Sequence, residues 1–314
     1  MQKLSSLLLF TGLIVSSCSV VPESSQTQII GGRKVSEGQW TTVVAISEKQ
    51  GLPFGFPPLT PEQLEMFKSE LLPKVKCTGT ALTPLVIVTA AHCFWNRGAL
   101  PDGPVSWAVH LGNGVEGGLF EGPAEEDLLE IESTMVHPKY VAGKELGYDI
   151  AYIILKKPLN LPQSSFDAAE TKDLLAPGQS VTAVGFGARS NLSSDKAPTG
   201  TKFEGDFTIF DAALERDAKD EEGENKHTPW DPETEIVVKD LDRGSCRGDS
   251  GGPLFAKNAA GEYRLFGIVS RAYGQDTCAS YSTIFGLLPK SICWVQENSK
   301  QDLGLPANYC DSSK

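Results

Sequence analysis

Long apolar runs are missing from this sequence. The one near the start, LSSLLLFTGLIV, falls short of the roughly 20 residues that a membrane-crossing helix needs. Basic charge is also in short supply: 28 Lys and Arg stand against 40 Asp and Glu, for a net charge of −12. That balance argues against a nucleic-acid partner and against adsorption to anionic lipid, both of which call for a basic face. No two cysteines are spaced as CxxC, which argues against a zinc site, and no metal or cofactor is expected. The chain shows no internal repeat. Helical periodicity is confined to 61–72, 166–175, 209–220 and the stretch after Thr283.

What remains is a chain of short β-branched runs separated by Gly and Pro, among them WTTVVAI, LVIVTAA, SWAVHLG, IAYIIL, SVTAVGFG, TEIVVKD and YRLFGIVS. Such runs read as strands, and many of them together argue for an all-β sandwich or barrel architecture. Thr60-Pro61 makes a plausible cap for the helix over 61–72. The first residues read as a targeting segment, with a basic start and then the short apolar run. VSSCSV follows it and resembles the lipobox of bacterial lipoproteins, in which the cysteine, here Cys18, is acylated; the alternative is an ordinary secretory leader. Either leader implies export, hence an oxidising compartment. With Cys18 set aside, the six cysteines left fit three disulfides, for which fifteen connectivities exist.

Histidine numbers only four in the chain, and one of them, His92, ends a buried strand in TAAHC. A strand end is a rigid place for a general base. Asp149 in GYDIAYIIL opens an apolar strand, where a carboxylate needs a hydrogen-bonding partner such as a histidine Nδ1–H. Ser250 lies in RGSCRGDSGGPLF, a stretch with four glycines. Glycine permits positive φ and close backbone approach, which suits a serine nucleophile beside N–H groups aimed at one point. The chain order His, Asp, Ser differs from that of α/β-hydrolases and of subtilisin-like enzymes.

IIGG, TAAHC, DIAYIIL and CRGDSGGP, in this order, resemble the trypsin/chymotrypsin family of serine endopeptidases, over Ile29 to about Val295. The resemblance implies two six-stranded antiparallel Greek-key barrels followed by a C-terminal helix, with the site in the cleft between them. It implies Ser250 as nucleophile, His92 as general base and acid, Asp149 as the carboxylate that orients it, and the N–H groups of Gly248 and Ser250 as the oxyanion hole. It implies disulfides Cys77–Cys93 and Cys246–Cys278, which leaves Cys293 with Cys310. The expected organisation is a lipoprotein-type signal peptide over 1–17, a pro-segment over 18–28 and a peptidase domain over 29–296, with barrel one at 29–155 and barrel two at 156–296. A tail over 297–314 completes it.

Family members are cut before the first residue of the IIGG-like motif, and the new amino group, here that of Ile29, pairs with the aspartate before the serine, here Asp249. That pairing closes the pocket. Arg or Lys usually precedes the cut, but Gln28 does so here, and the activating protease is unknown. The specificity pocket is expected to involve Gly244, Ser245, Ser270, Ala272 and Ala279. Gly244 stands where trypsin has an aspartate, so an uncharged substrate residue is expected. Ser270-Arg271-Ala272 matches the strand that pairs with substrate backbone. Arg271 replaces a usual aromatic residue and is expected to be solvated, the alternative being a preference for acidic substrates. Residues 48–75 form an insertion. Asn113 replaces the first carboxylate of the family's calcium loop, which disfavours calcium at 121–127. A monomer acting on protein or peptide substrates is the expectation. A catalytically silent binding homologue would show damage at His92, Asp149, Gly248 or Ser250, and all four are in place.

Overall fold

A computed structural model of the chain describes residues 29–49, 60, 62–63, 74–94, 106–115, 128–143, 147–161, 174–188, 199–215, 227–274, 278 and 282–311. The leader and pro-segment, Ala279, most of the 48–75 insertion and the acidic stretch 121–127 lie outside the described residues.

The first of two antiparallel sheets holds β2 (Val43–Lys49), β3 (Lys74–Ala81), β4 (Val86–Thr89), β5 (Ser106–His110), β6 (Leu128–Leu129), β7 (Ile131–Val136) and β8 (Ala151–Leu155). Its order is β6-β5-β2-β3-β4-β8-β7. Only Glu130 separates β6 from β7, so the two act as one strand pairing with β5 at one end and β8 at the other. The sheet thereby closes on itself as a six-stranded barrel.

The second sheet holds β1 (Arg33–Lys34), β9 (Ser180–Gly185), β10 (Phe203–Ile209), β11 (Glu235–Lys239), β12 (Pro253–Lys257), β13 (Tyr263–Ala272) and β14 (Ser282–Leu287). Its order is β1-β10-β11-β14-β13-β12-β9, and pairing of β9 with β10 closes six of these strands. The expected all-β architecture is present. β-Branched and aromatic residues supply the reason: all four residues of β4 are buried, and Phe203, Phe207, Ile209, Phe266 and Phe285 fill the interior of the second barrel. Each such side chain contributes roughly 1.5–3 kcal/mol.

The chain ends cross over. Residues 29–34, expected with barrel one, join the second sheet instead. Ile29 is buried in that barrel's core and β1 pairs with β10. At the other end, α1 (Ile292–Ser299) buries Ile292 and Val295 in the core of the first barrel. Helix α1 runs past 296, and the chain continues through Leu303, also buried there, to Cys310, which is bonded to Cys293. Closing a loop between cysteines 17 positions apart contributes about 3 kcal/mol. The segment expected as a tail is thus packed on the first barrel through Leu303 and tied to α1 through Cys310.

Of the helix expected over 209–220, Ile209 instead ends β10 with its side chain in the barrel core, and Ala212–Glu215 form a short helical turn. Residues 216–220 lie outside the described residues, as do 166–173 of the helix expected over 166–175. After Thr283 the chain first stays extended to Leu287, paired on both sides by β11 and β13. It then turns helical at Leu288–Lys290 and in α1, as expected. Of the helix over 61–72, Glu62 and Gln63 are described as helical. Thr60 caps it reciprocally: its Oγ1 accepts the Gln63 N–H at 3.3 Å, and its N–H donates to Gln63 Oε1 at 2.9 Å.

Candidate active site

Strand register brings the first two site residues together. β4 and β8 run antiparallel with Thr89 opposite Ala151, so chain extended two residues past β4 faces the residues just before β8. His92 lies in the short turn after β4, held by the Cys77–Cys93 disulfide to β3 and by Thr89 Oγ1, which donates to Thr78 O at 2.8 Å. Across from it, Asp149 Oδ1 accepts the backbone N–H of His92 at 2.9 Å, and Oδ2 lies 2.7 Å from His92 Nδ1. A carboxylate cannot donate, so Nδ1 carries the proton and Nε2 keeps its lone pair in neutral His92. Burial alone would push the Asp149 carboxyl up. Attraction to His92 and hydrogen bonds from His92 and Ser270 outweigh it and hold the carboxyl below its ordinary value.

Ser250 sits in a turn that only glycine can build. Gly248 has φ +98° and Gly251 φ +81°. A Cβ on Gly251 would lie 2.0 Å from Thr89 Oγ1 and 2.4 Å from Thr78 O. The turn is fastened to barrel one by Thr78, whose N–H donates to Ser250 O at 2.8 Å and whose hydroxyl donates to Gly248 O at 2.8 Å while accepting the Phe186 N–H at 3.1 Å. Among the described residues, neither the N–H of Gly248 nor that of Ser250 has an acceptor. Two such donors flanking one residue are available to a ligand oxygen.

His92 and Ser250 line one pocket of about 230 Å³, with Ser245, Ser270, Arg271 and Ala272 among its other walls. No carboxylate lines it among the described residues. Ser245 Oγ is hydrogen-bonded to Thr283 Oγ1 at 2.7 Å. Gly244, expected at the pocket, pairs through both its N–H and its C=O with Ile30, at 3.1 and 3.0 Å. Ser270 was expected as a pocket wall, but its hydroxyl also donates to Asp149 Oδ2 at 2.7 Å. Nothing in its sequence context signals that bond.

Arg271 corrects the sequence reading. It is not solvated: its side chain is 11% exposed and forms a two-point ion pair with Glu235, at 2.6 and 2.9 Å. The available signal was Glu235 itself, an acid beside the apolar run IVV.

Asp249 is buried, with Oδ1 accepting the Gly187 N–H at 2.8 Å and Oδ2 the Cys246 N–H at 2.9 Å. Burial outweighs those bonds and pushes the carboxyl up to about 7. Asp249 is turned inward, and the pocket beside Ser250 is formed. Ile29, also buried, has φ +37°. The other two disulfides are Cys246–Cys278, tying the serine turn to the chain after β13, and Cys293–Cys310.

Residues 29–288 match the family described as Trypsin. Spermosin of Halocynthia roretzi is 26% identical over 266 residues, covering 83% of this chain and 60% of that protein. CLIP domain-containing serine protease B4 of Anopheles gambiae is 26% identical over 293 residues, 86% of this chain and 70% of that one. Serine protease 28 of Mus musculus is 24% identical over 291 residues, 88% and 91% of the two chains.

Proposed function

The chain belongs to the trypsin family of serine proteases, and on that premise we propose that it is an exported endopeptidase acting through an acyl-enzyme on Ser250. One observation carries the reading: Asp149 holds the Nδ1 proton of His92 at 2.7 Å, and His92 shares a pocket with Ser250. Nε2 takes the Ser250 hydroxyl proton as Oγ attacks the substrate carbonyl carbon. The carbonyl oxygen, now an anion, receives the N–H groups of Gly248 and Ser250, each such donor contributing about 2.7–4 kcal/mol in the transition state. His92 passes its proton to the leaving amine, and water then repeats the sequence on the acyl group.

The reading extends to activation by a cut between Gln28 and Ile29, which frees an amino group for Asp249. Gln28 implies an activator without Lys/Arg preference. If Cys18 is the lipid anchor, the same cut releases the enzyme from the membrane. The test is fluorophosphonate labelling of the active protein with mass spectrometry of both the adduct and the N-terminus. Stoichiometric modification of Ser250 in protein beginning at Ile29 is the expected result. Labelling that persists in Ser250→Ala would falsify the nucleophile assignment, and labelled protein that still begins at Cys18 would overturn the activation step.

Specificity follows from the pocket walls. With no carboxylate among the described residues of the pocket to pair a Lys or Arg, and with the Ser245 hydroxyl tied to Thr283, cleavage is expected after uncharged residues. Sequencing the products from a mixed peptide library checks this, and predominant cleavage after Lys or Arg would rule it out.

A further inference from the structure

The Arg271–Glu235 ion pair is linked to Asp149 along two routes, through the Ser270 hydroxyl and through the backbone at Gly147. Arg271 Nη1 donates to Ser270 Oγ at 3.2 Å as well as to Glu235 Oε1. A hydroxyl has one proton to give. With the guanidinium occupying a lone pair of Ser270 Oγ, that proton is aimed at Asp149 Oδ2, 2.7 Å away. Glu235 works from the backbone side. Its Oε1 accepts the N–H of Gly147, two residues before Asp149, at 3.0 Å. Gly147 has φ +82°, and a Cβ there would fall 2.1 Å from Thr234 Oγ1, so barrel one lies against barrel two at this point. The remaining valences are also used: Glu235 Oε2 accepts the Asp231 N–H at 2.8 Å, and Arg271 Nη2 donates to Pro229 O at 2.7 Å.

A buried ion pair is weak evidence of stability, because desolvation offsets its attraction and apolar residues often serve as well. Apolar side chains could not orient the Ser270 hydroxyl or hold the Gly147 N–H. We propose that Glu235 and Arg271 are a positioning pair that fixes Asp149, and through it His92, while their opposite charges keep the carboxylate's surroundings neutral. The inference rests on the peptidase reading above.

The test compares Glu235→Gln, Arg271→Gln and the double variant with the parent, using a small ester substrate across pH. The charged groups linked to the His92–Asp149 couple include Arg271 through Ser270, Glu235 through Gly147, Asp231 beside Glu235, and Arg247, which lines the pocket with His92. Glu235→Gln leaves an unbalanced cation, which disfavours protonated His92. The acid limb of kcat/KM moves to lower pH by about half a unit or more. Arg271→Gln leaves an unbalanced anion and moves the limb upward by a similar amount. The double variant returns it close to the parent. In both single variants kcat falls about ten- to a hundred-fold, with KM for the small ester little changed.

Shifts in the same direction, or none, overturn the proposal. Should a single variant fail to fold, Arg271→Lys decides. It keeps the charge but loses the fork, so kcat drops with the acid limb in place, and an unchanged kcat refutes the pair's role. Fluorophosphonate labelling of the parent is done first: no labelling defeats the peptidase reading and this one together, whereas a labelled parent with unmoved variants defeats this one alone.

Discussion

Asparagine at Asp149 lowers kcat/KM at neutral pH by about 10⁴-fold in a chain that still folds. The carboxylate accepts at both oxygens, from the His92 backbone N–H at Oδ1 and from His92 Nδ1 and Ser270 Oγ at Oδ2. An amide has one oxygen and one NH₂. Turned so that its oxygen keeps the backbone N–H, it presents a donor to Nδ1, and His92 answers by moving its proton to Nε2. That tautomer cannot take the proton of Ser250. Turned the other way, the amide sets a donor against the backbone N–H and loosens the turn that carries His92. Steady-state kinetics on the purified variant measure the loss, and a fall of less than ten-fold would show that His92 works without the carboxylate.

Between about pH 4 and pH 7, the uncut chain loses roughly 4 kcal/mol of stability that is assigned to Asp249 alone. Burial raises this carboxyl from 3.8 to about 7, so the folded chain holds a proton there that the unfolded chain has released. A folded pKa above the unfolded one means a contribution that is complete below pH 4 and gone above pH 7. His137 titrates in the same window with the opposite sign. Burial, with the Lys139 charge beside it, lowers the imidazole from 6.5 to about 4, so its contribution is present above 6.5 and lost as pH falls toward 4. The two are separated by difference. Urea unfolding of Ser250→Ala with and without Asp249→Asn isolates the aspartate, and the gap between the two chains should change by that amount from pH 4 to pH 7. In protein cut before Ile29 the proposed amino partner removes the gap's pH dependence. A gap that is flat in the uncut chain would contradict the account.

The strands were readable because β-branched runs bounded by turns carry their own signal, and His92, Asp149 and Ser250 stood out as candidates because each has a distinctive local context. What escaped was non-local. Arginine is rarely buried, so Arg271 read as solvated. Its partner Glu235 lies on β11, separated in the sheet from β13 by β14, and no sequence spacing encodes that neighbourhood. Nothing in the sequence around Thr78 marks it, yet its hydroxyl fastens the serine turn across the two barrels. Ile209, the first residue of the segment 209–220 that read as helical, is captured by the barrel core, to which periodicity is blind.

The torsion at Ile29 has a chemical lifetime. Its φ of +37° places a β-branched residue where L-amino acids pay about 1–2 kcal/mol. That angle is defined by the carbonyl carbon of Gln28, the atom that hydrolysis takes away. A spring wound only while the peptide bond exists makes the proposed cut a ratchet: severing it relaxes Ile29, and resealing it would have to wind the residue up again. The bias is about 5- to 30-fold against rejoining, set by the geometry of a single residue.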